Sequence, residues 1–400
     1  MTDAAFTDLL SAIIDNRGRT APTAESGIPL IATNCIKDNA LYPVKEKVRY
    51  VDNETYRTWF RGHPEPGDIL FVCKGSPGRT ALVPNPVDFV VAQDMVAVRA
   101  DATKIYPRFL LAALRSPGVR GQVENMHVGS LIPHFKKGDF DKLRIPTPAR
   151  TVQEAVGDLY FAMSEKIESN RRSAEIELEL AAALLVGGTE TIRVGDVADV
   201  DKGLSYKGAG LDDGSATNAI PMVNLGSFST SGALKPDGLK YYTGDFKQKH
   251  RLAAWDLVVA NTDLTQSREI LGRGFLVPST LQGALHTHHT SVVRFRERSE
   301  LAPFLWARLQ SPEFRDRAKG FATGTTVTAL PREALLDYEF SVPSNPELSL
   351  AAARGLIEHS WQLAAESAAV TRTRDALLPE LLSGRIRVPE ADAVVQDGTE

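Results

Sequence analysis

The spacing of apolar positions predicts a long helix in the middle of the chain. From residue 151 to about residue 186 there is no proline, and the only glycine is Gly157. Apolar or small side chains recur there in steps of three and four residues, which is typical of a coiled-coil seam. The seam comprises Val156, Tyr160, Met163, Ile167, Ala174, Leu178, Ala181 and Leu185, with the polar Asn170 filling its one gap. A helix of about 36 residues is roughly 54 Å long.

An alanine-rich stretch from about residue 348 to residue 378 shows a looser version of the same pattern. Its seam positions are Ile357, Trp361, Ala364, Ala368, Thr371 and Leu378. Because small side chains permit close helix packing, we expect the two helices to lie antiparallel and to act as a strut. The alternative is that each is an ordinary helix packed on its own domain. The length of both stretches without a helix breaker argues against that alternative.

The segments that precede the two helices resemble each other at an offset of about 195 residues. The sequence Phe-Leu-Leu-Ala-Ala-Leu-Arg-Ser-Pro at 109–117 matches Phe-Leu-Trp-Ala-Arg-Leu-Gln-Ser-Pro at 304–312. Four further matches keep the same order: 129–130 with 324–325, Pro148 with Pro343, 28–31 with 220–223, and 67–72 with 255–260. The chain is therefore predicted to be an imperfect tandem repeat. Two diverged copies of a purely structural domain remain an alternative explanation.

Each repeat has the same predicted layout. Strands are expected first, at 87–91 and 95–98 in one copy and at 291–295 in the other, because these segments are β-branched or alternate. A helix follows, near 107–114 and 303–309, with proline in its first turn. A glycine-containing loop and a short strand, at 143–146 or 338–341, complete the repeat.

These elements predict an α+β fold, with two similar mixed α/β domains joined by two long antiparallel coiled-coil helices. The predicted divisions are a first domain at 1–150, a central helix at 151–188, a second domain at 189–346, a distal helix at 347–385 and a flexible tail at 386–400. Only two cysteines occur, so a disulfide framework is not expected. The absence of a long apolar run or a basic, apolar N-terminus favours the cytoplasm.

The net charge of −4 hides a gradient along the chain. Residues 1–150 carry 20 Lys and Arg against 16 Asp and Glu, whereas residues 151–189 carry 3 against 7 and residues 347–400 carry 5 against 9. The acidic excess lies in the predicted helices, so the globular parts are neutral or mildly basic. This distribution permits a local basic surface without proving one.

Several motifs in combination resemble the specificity subunits of type I restriction–modification enzymes. They are the Ile-Pro-Leu-Ile of 28–31, the Gly-Asp-Ile-Leu of 67–70, the Leu-Arg-Ser-Pro of 114–117, the Lys-Ile-Glu-Ser-Asn of 166–170, the Gly-Thr-Thr-Val-Thr-Ala-Leu of 324–330 and the C-terminal stretch 377–386. The first copy departs from the fuller glycine loop with Gly-Ser-Leu-Ile-Pro at 129–133. The second helix has no clear equivalent of 166–170, which leaves its partner contacts open.

The resemblance implies that each recognition domain reads one half of a split, asymmetric DNA target while the helices fix the gap. It also implies that the helices hold two methyltransferase (M) subunits, which bind S-adenosylmethionine, and that motor-nuclease (R) subunits complete the assembly. The chain itself would need no cofactor, metal or catalytic residue. The helix residues expected to serve partner binding are Met163, Ile167, Asn170, Leu178, Ile357, Trp361 and Leu378.

Cationic side chains near predicted turns are candidates for DNA contacts, because Arg and Lys bind guanine edges and phosphates. The candidates in the first repeat are Arg17, Arg19, Lys74, Arg79, His134, Lys136 and Lys137. The candidates in the second repeat are Lys202, Lys207, Lys247, Lys249, Arg251, Arg268 and Arg273. For each of them, a solvated surface cation is the alternative interpretation.

Other functions are less well supported by the sequence. The His-Thr-His-His of 286–289 suggests a zinc hydrolase, but no Cys or acidic ligand is near in sequence, and histidines on a strand are the favoured interpretation. The glycine run at 320–326 lacks the Gly-Lys-Ser/Thr ending of a P-loop, and no adenine-methyltransferase motif or nucleophile elbow is present. A coiled-coil protein-interaction scaffold without DNA specificity remains the alternative function.

Overall fold

The computed structural model describes residues 2–16, 18–126, 133–265, 267–324 and 327–388. The chain divides into two compact units, the first made of Met1–Asn170 with Glu366–Glu400 and the second made of Arg171–Ala365. Both long helices are cut by this division, so each unit contains part of each helix. The predicted domain limits stay predictions, and most of the predicted tail lies outside the described residues.

The first repeat contains nine strands and three short helices among its described residues, and a long helix follows them. In chain order these are β1 Thr2–Ala5, β2 Leu10–Asp15, β3 Ile28–Ile31, β4 Arg49–Val51, α1 Asn53–Thr58, β5 Ile69–Val72, β6 Thr80–Leu82, β7 Val90–Val91, β8 Met95–Ala100, α2 Pro107–Arg115, α3 Pro117–Asn125, β9 Arg144–Thr147 and α4 Arg150–Leu184.

The second repeat follows the same plan with additional short elements. In chain order these are β10 Glu190–Arg193, α5 Val194–Val197, β11 Ala198–Lys202, β12 Leu211–Asp212, β13 Ile220–Val223, β14 Lys240–Tyr242, β15 Leu257–Ala260, β16 Thr262–Asp263, β17 Gly274–Leu276, β18 Leu285–His286, β19 Thr290–Phe295, α6 Ala302–Leu309, α7 Pro312–Phe321, β20 Thr328–Ala329, α8 Glu333–Leu336, β21 Glu339–Val342 and α9 Glu347–Ser383.

A four-stranded antiparallel sheet lies at the centre of each repeat. The first sheet has the order β2-β8-β5-β6, and the second sheet has the order β11-β19-β15-β17. In the first sheet Val98 pairs with both Ile13 and Ile69. Its counterpart Val293, 195 residues later, makes the equivalent two pairings in the second sheet. The strand register therefore confirms the tandem repeat predicted from the sequence.

The first strand segment was predicted too long. Residues 87–89 are not in a strand, and only Val90–Val91 pairs, in parallel, with β3. The segment follows a proline, which cannot donate a ladder hydrogen bond and is found at strand starts or edges. The strands predicted at 95–98 and 291–295 are confirmed, as are the two helices that begin near a proline.

A capped helix pair follows each sheet. The side chain of Ser116 accepts a hydrogen bond from the backbone of Val119 at the start of α3. Ser311 does the same for Phe314 at the start of α7, and proline follows each serine as the first helical residue. This arrangement satisfies an exposed backbone donor and presets the helical φ, which explains why Ser-Pro recurs at both places.

The core of each unit includes residues of both long helices. In the first unit, Val156 and Tyr160 of α4 and Leu377 of α9 share one apolar cluster with the side chains of the first sheet. In the second unit, Leu178 of α4 and Ile357 of α9 belong to the main cluster. Since these residues are buried within their own unit, the apolar residues of the long helices form part of the core of each unit.

The two helix segments contact each other within each unit. In the first unit, Arg374 donates to Ser164 at 3.3 Å, and Lys166 lies 3.0 Å from a Glu366 oxygen, so the segments run antiparallel. In the second unit, the ring of His359 lies 2.7 Å from Glu177. None of the described helices is both long enough and apolar enough to cross a membrane.

Candidate nucleic-acid interface

One end of the first sheet collects cationic side chains. Because β8 is antiparallel to both β2 and β5, the carboxyl ends of β2 and β5 lie at the same end of the sheet. Lys74 follows β5 there and is exposed. Arg19, three residues beyond Asn16 at the end of β2, is also exposed. Arg17 lies outside the described residues.

A second segment joins this end of the sheet through backbone pairing. His134 bridges to Lys74, and the amide of Phe135 donates to the carbonyl of Cys73 at 2.8 Å. Lys136 and Lys137 follow at once and are exposed. We call the four side chains Lys74, His134, Lys136 and Lys137 the first edge. Four of the seven first-repeat candidates are therefore neighbours, although they are up to 63 residues apart in sequence.

Acidic groups lie beside these cations. Lys137 is 2.6 Å from Asp15, which also lies 3.9 Å from Arg61.

Burial, with a smaller contribution from Asp94, raises the pKa of the Cys73 thiol to about 12. Cys73 is therefore a neutral thiol at physiological pH, and it is not an activated nucleophile.

Arg79 is placed differently from the other first-repeat candidates. Its Nε lies 3.2 Å from an oxygen of Asp38, and the second oxygen of Asp38 accepts from Arg120. Of the two candidates Lys74 and Arg79, only Lys74 belongs to the first edge, because the charge of Arg79 is matched by Asp38 inside the unit.

The equivalent end of the second sheet carries different side chains. Lys202 ends β11 and is exposed, and Asn261 follows β15 at the same end of the sheet. Asn261 is buried, and its amide group donates to the hydroxyl of Ser291 at 2.9 Å. Where Lys74 bridges to His134 in the first repeat, the second repeat has the strand pair β16 and β20. The contact to the loop is thus kept with Thr262 and Ala329 in place of Lys74 and His134, while the exposed Arg332 takes the place of Lys137.

The histidine run lies at this end of the second sheet, which the sequence did not indicate. Only His286 belongs to a strand, so the expectation of histidines along a strand is wrong for His288 and His289, which lie in the turn before β19. Their rings are 4.0 Å apart between centroids, and Tyr206 lies 6.4 Å from His288. The tight turn between β18 and β19 turns these side chains away from the ladder.

Hydrogen bonds hold this cluster in place. Nδ1 of His289 lies 3.0 Å from the hydroxyl of Thr262, and Lys240 donates to the hydroxyl of Tyr206 at 2.7 Å. Burial, then the neighbouring His288 and Lys240, lowers the pKa of His289. We call Lys202, Tyr206, Thr262, His288 and His289 the second edge. Its aromatic rings can stack on bases, and its hydroxyl groups and ring nitrogens can form hydrogen bonds with them.

The remaining second-repeat candidates lie on several segments. Lys207, Lys247 and Lys249 are exposed. Arg251 donates to the carbonyl of Gly283 at 2.7 Å and lies over the ring of Phe246. Arg268 and Arg273 lie in the connection between β15 and β17, where Arg268 donates to the carbonyl of Lys319 at 3.1 Å. Arg273 also lines a cavity of the second unit, together with Gln310 and Arg315.

The helix residues expected to bind partners are mostly buried in their own unit. Met163, Leu178, Ile357 and Leu378 are buried, and Asn170 donates to Glu366 at 2.6 Å. Ile167 and Trp361 are half-buried, and Trp361 contacts Trp255. An exposed apolar stripe lies instead on another face of α4, at Ile176, Leu180 and Leu184. Partner binding through the seam residues therefore stays a prediction, with this stripe as the accessible apolar surface.

Among the described residues no group of three or more His, Cys, Asp or Glu side chains is arranged to hold a metal ion. The geometry thus defines a duplicated α/β protein whose two lobes present polar and cationic side chains at one end of a sheet. Residues 18–178 match the family described as "Type I restriction modification DNA specificity domain". Residues 18–178 are therefore similar to a DNA specificity domain of type I restriction–modification systems, which confirms the resemblance seen in the motifs of this segment.

The fold is similar to that of a type I restriction–modification system S subunit from M. genitalium. That comparison has a TM-score of 0.54 at 14% identity and covers 95% of both chains. The HsdS subunit from Thermoanaerobacter tengcongensis is similar at a TM-score of 0.36 and 15% identity, with 96% of this chain and 97% of that chain covered.

A further similar structure is described as showing the structural basis of complex assembly and conformational transition of the type I R-M system. It has a TM-score of 0.36 at 16% identity and covers 95% of this chain and 97% of that chain. No curated protein sequence matches the chain. The M. genitalium comparison supports a shared fold over nearly the whole length.

Proposed function

We propose that this chain is the DNA sequence-specificity subunit of a type I restriction–modification complex and has no catalytic centre of its own. Each repeat reads one half of a bipartite, asymmetric target in double-stranded DNA. The observation that carries the proposal is that equivalent sheet ends bear different side chains in the two repeats. Lys74 of the first edge stands where Thr262 stands in the second, and Asp94 stands where His289 stands. Unlike side chains at equivalent places suit unlike half-sites.

The long helices set the unread gap between the two half-sites and dock two methyltransferase (M) subunits. An antiparallel coiled coil is stiff enough to fix a spacing, as dimer geometry does in other DNA readers. The exposed stripe of Ile176, Leu180 and Leu184 supports a docking role, because residues four apart share one helix face. S-adenosylmethionine is bound by the methyltransferase, and motor-nuclease (R) subunits complete the restriction complex.

The test is to purify the full chain together with its methyltransferase and to map the adenines that the complex methylates. We expect a bipartite motif, and we expect replacement of residues 1–150 by those of another specificity subunit to change only one half of it. Insertion of seven residues in the segment 151–186 is expected to lengthen the gap or to abolish methylation. An unchanged gap in an active insertion variant would contradict the role of the helices.

A scaffold without DNA specificity makes the opposite prediction in the same experiment. Such a complex would bind specific and random duplexes equally, and its affinity would not respond to salt. Failure of the chain to assemble with the methyltransferase would likewise contradict the proposal.

A further inference from the structure

A pair of arginines is repeated in the two units. Arg79 and Arg273 occupy equivalent places, because each follows a left-handed glycine and leads into the last strand of its sheet. These glycines are Gly78, with φ of +87°, and Gly272, with φ of +74°. Each glycine also faces the helix that follows the Ser-Pro cap, since a Cβ would lie 3.3 Å from a Val123 methyl carbon in one unit and 3.1 Å from its counterpart Ala318 in the other.

The second arginine of each pair lies on that helix. Arg120 and Arg315 each come four residues after the capping serine. The amide of Arg120 donates to the carbonyl of Ser116 at 3.0 Å, and that of Arg315 donates to the carbonyl of Ser311 at 3.1 Å. The sequence offset of 195 residues is the same as that between Val98 and Val293, so the two arginines are true counterparts.

In the first unit a carboxylate lies between the two guanidinium groups. One oxygen of Asp38 is 3.2 Å from Nε of Arg79, and the other accepts from Arg120. A single acidic side chain therefore matches both cations. This is the arrangement expected where two like charges are held close together.

The second unit has no carboxylate at that position. A 3-10 turn precedes the site in each unit, at Thr33–Cys35 and at Leu225–Ser227. Asp38 is the third residue after the first turn, and Thr230 is the third residue after the second. Threonine supplies a hydroxyl of similar size but no charge. Thr230 therefore supplies no carboxylate between the two arginines of the second unit, although Glu269 and Asp316 lie close by.

A cavity of about 380 Å³ is present there, and Thr230 lines it together with both arginines. We call it the arginine cavity. Its charged lining residues are Arg273, Arg315, Lys319, Glu269 and Asp316. Three cations and two carboxylates leave one positive charge in the lining at neutral pH. Ser267 also lines the cavity, and its hydroxyl donates to the hydroxyl of Thr265 at 3.2 Å.

The hydrogen bonds of the two arginines leave donor capacity for a ligand. Arg273 donates from Nη1 to Gln310 at 3.2 Å, while its buried Nε has no partner among the described residues. Arg315 is held rigidly by backbone carbonyls, including those of Arg268 at 2.7 Å and Glu269 at 2.9 Å. Burial lowers the pKa of Arg273, and burial followed by the charge of Arg273 lowers the pKa of Arg315 to about 10. Both remain charged at neutral pH.

We propose that the arginine cavity binds one phosphate group of the DNA backbone, a contact that the first repeat lacks because Asp38 already fills the equivalent place. This inference rests on the proposed function, since the phosphate comes from the DNA that the subunit reads. Guanidinium groups bind phosphate oxygens through two parallel hydrogen bonds, which suits a fixed pair of arginines. The single charge of a phosphodiester matches the single excess charge of the lining, whereas a free phosphate dianion does not.

The decisive variant is Thr230→Asp, which reproduces in the second unit the carboxylate of the first. The new side chain is expected to bridge Arg273 and Arg315 and to raise the melting temperature, because it supplies a missing counter-charge. Thr230→Asn is the matched control, since it has the shape of aspartate without its charge. An effect shared by both variants is steric and would count against the proposal.

Two measurements on the full chain test the site. In the complex with methyltransferase, we expect Thr230→Asp to weaken duplex binding about tenfold and to reduce the slope of log affinity against log salt by about 0.9, the value for one lost phosphate contact. Thr230→Asn should keep the slope. On the chain alone, inorganic phosphate is compared with chloride at equal ionic strength, and phosphate is expected to raise the melting temperature only weakly.

The outcomes separate the alternatives. Strong stabilisation by inorganic phosphate that Thr230→Asp abolishes, with an unchanged salt slope for DNA, would assign the cavity to free phosphate and overturn the inference. Loss of methyltransferase assembly in Thr230→Asp with normal DNA affinity would assign it to a carboxylate of the partner protein, which also overturns it. If wild-type complex binds specific DNA and Thr230→Asp binds it identically, the inference fails while the proposed function stands. A wild-type complex that binds no DNA would instead refute the proposed function.

Discussion

The guanidinium of Arg99 donates to both carboxylate oxygens of Asp68, at 2.8 and 3.0 Å. Arg294 contacts Asp256 in the second repeat, where both hydrogen bonds, at 3.2 and 3.1 Å, go to the single oxygen Oδ2. Each pair joins the start of one strand to its antiparallel neighbour, β5 to β8 and β15 to β19. Because an Arg–Asp pair occupies this place in both repeats, it belongs to the duplicated scaffold. The residues that differ between the repeats lie at the opposite end of the sheet.

Asp68→Asn is expected to lower the free energy of unfolding by about 2 kcal/mol, because it leaves a buried charge-assisted hydrogen-bond network incomplete. The Asp68 side chain is only 2% exposed, and it also accepts from the amide of Glu65. Denaturant unfolding of the full chain measures the effect. Asp88→Asn is the control, since Asp88 forms an exposed pair with Lys45 and should cost less than about 1 kcal/mol. Equal losses in the two variants would contradict the structural role of the pair.

Gly157→Ala is expected to destabilise the first unit by about 2 kcal/mol, because overpacking at a close contact is costly. A Cβ at Gly157 would lie 2.6 Å from the backbone nitrogen of Phe109, so α4 and α2 must move apart. Gly355→Ala is the matched control in the other long helix, where nothing lies within 4 Å of the new carbon. That change should stabilise the chain by up to about 1 kcal/mol through helix propensity. A stable Gly157→Ala variant would show that the two helices do not approach so closely.

Stability is expected to fall as the pH is lowered from 6.5 to 5, partly because of His286. Burial, then Arg294 and His250, lowers the pKa of His286 to about 3, and its Nε2 has no partner among the described residues. Between about 3 and the ordinary value near 6.5, only the unfolded chain takes up the proton, so acid favours unfolding. The loss approaches about 1.4 kcal/mol per pH unit.

His286→Val tests this assignment, because Val91 occupies the equivalent position in the first repeat. The variant should flatten the dependence of unfolding free energy on pH between 6.5 and 5, and it should fold normally at pH 7. His134→Gln, which alters an exposed histidine, should keep the wild-type dependence. A His286→Val variant with an unchanged pH profile would show that this histidine is not held neutral.

Replacing both Lys74 and Lys136 by glutamine is expected to weaken DNA binding by the assembled complex without loss of stability. If each contacts a phosphate, the slope of log affinity against log salt falls by about 0.9 for each residue. Lys104→Gln is the control, because Lys104 follows β8 at the opposite end of the same sheet. An equal effect of Lys104→Gln would mean that general charge, and not the first edge, determines the affinity.

The duplicated scaffold could be predicted from the sequence because its signals are local. The Ser-Pro cap, the Gly-Asp start of β5 and the repeating apolar positions of the long helices are each set by neighbours in the chain. Their matched order in two copies was enough to predict the architecture. The start of the strand predicted at 87–91 was wrong, because a proline precedes the segment and the pairing begins only at Val90.

The candidate sites were harder to predict, because they depend on which turns meet at one end of a sheet. Lys74 and His134 are neighbours only through pairing between distant segments. The sequence therefore identified both residues as candidates but did not show that they lie together. His288 and His289 were assigned to a strand, whereas alignment with the first repeat would have placed them in its edge turn. The same alignment pairs Thr230 with Asp38. This pairing is hard to recognise in the sequence, because the offset between the repeats is slightly different in their first halves.

The long helices have a consequence for how the protein is made. Leu377, Leu378 and Leu381, near the end of α9, belong to the core of the lobe whose other side chains are synthesised first. The amino-terminal unit therefore completes its interior only after α9 has been translated. A chain that stops before Leu377 leaves this apolar cluster open to solvent, so such fragments are expected to be recognised by quality-control proteases.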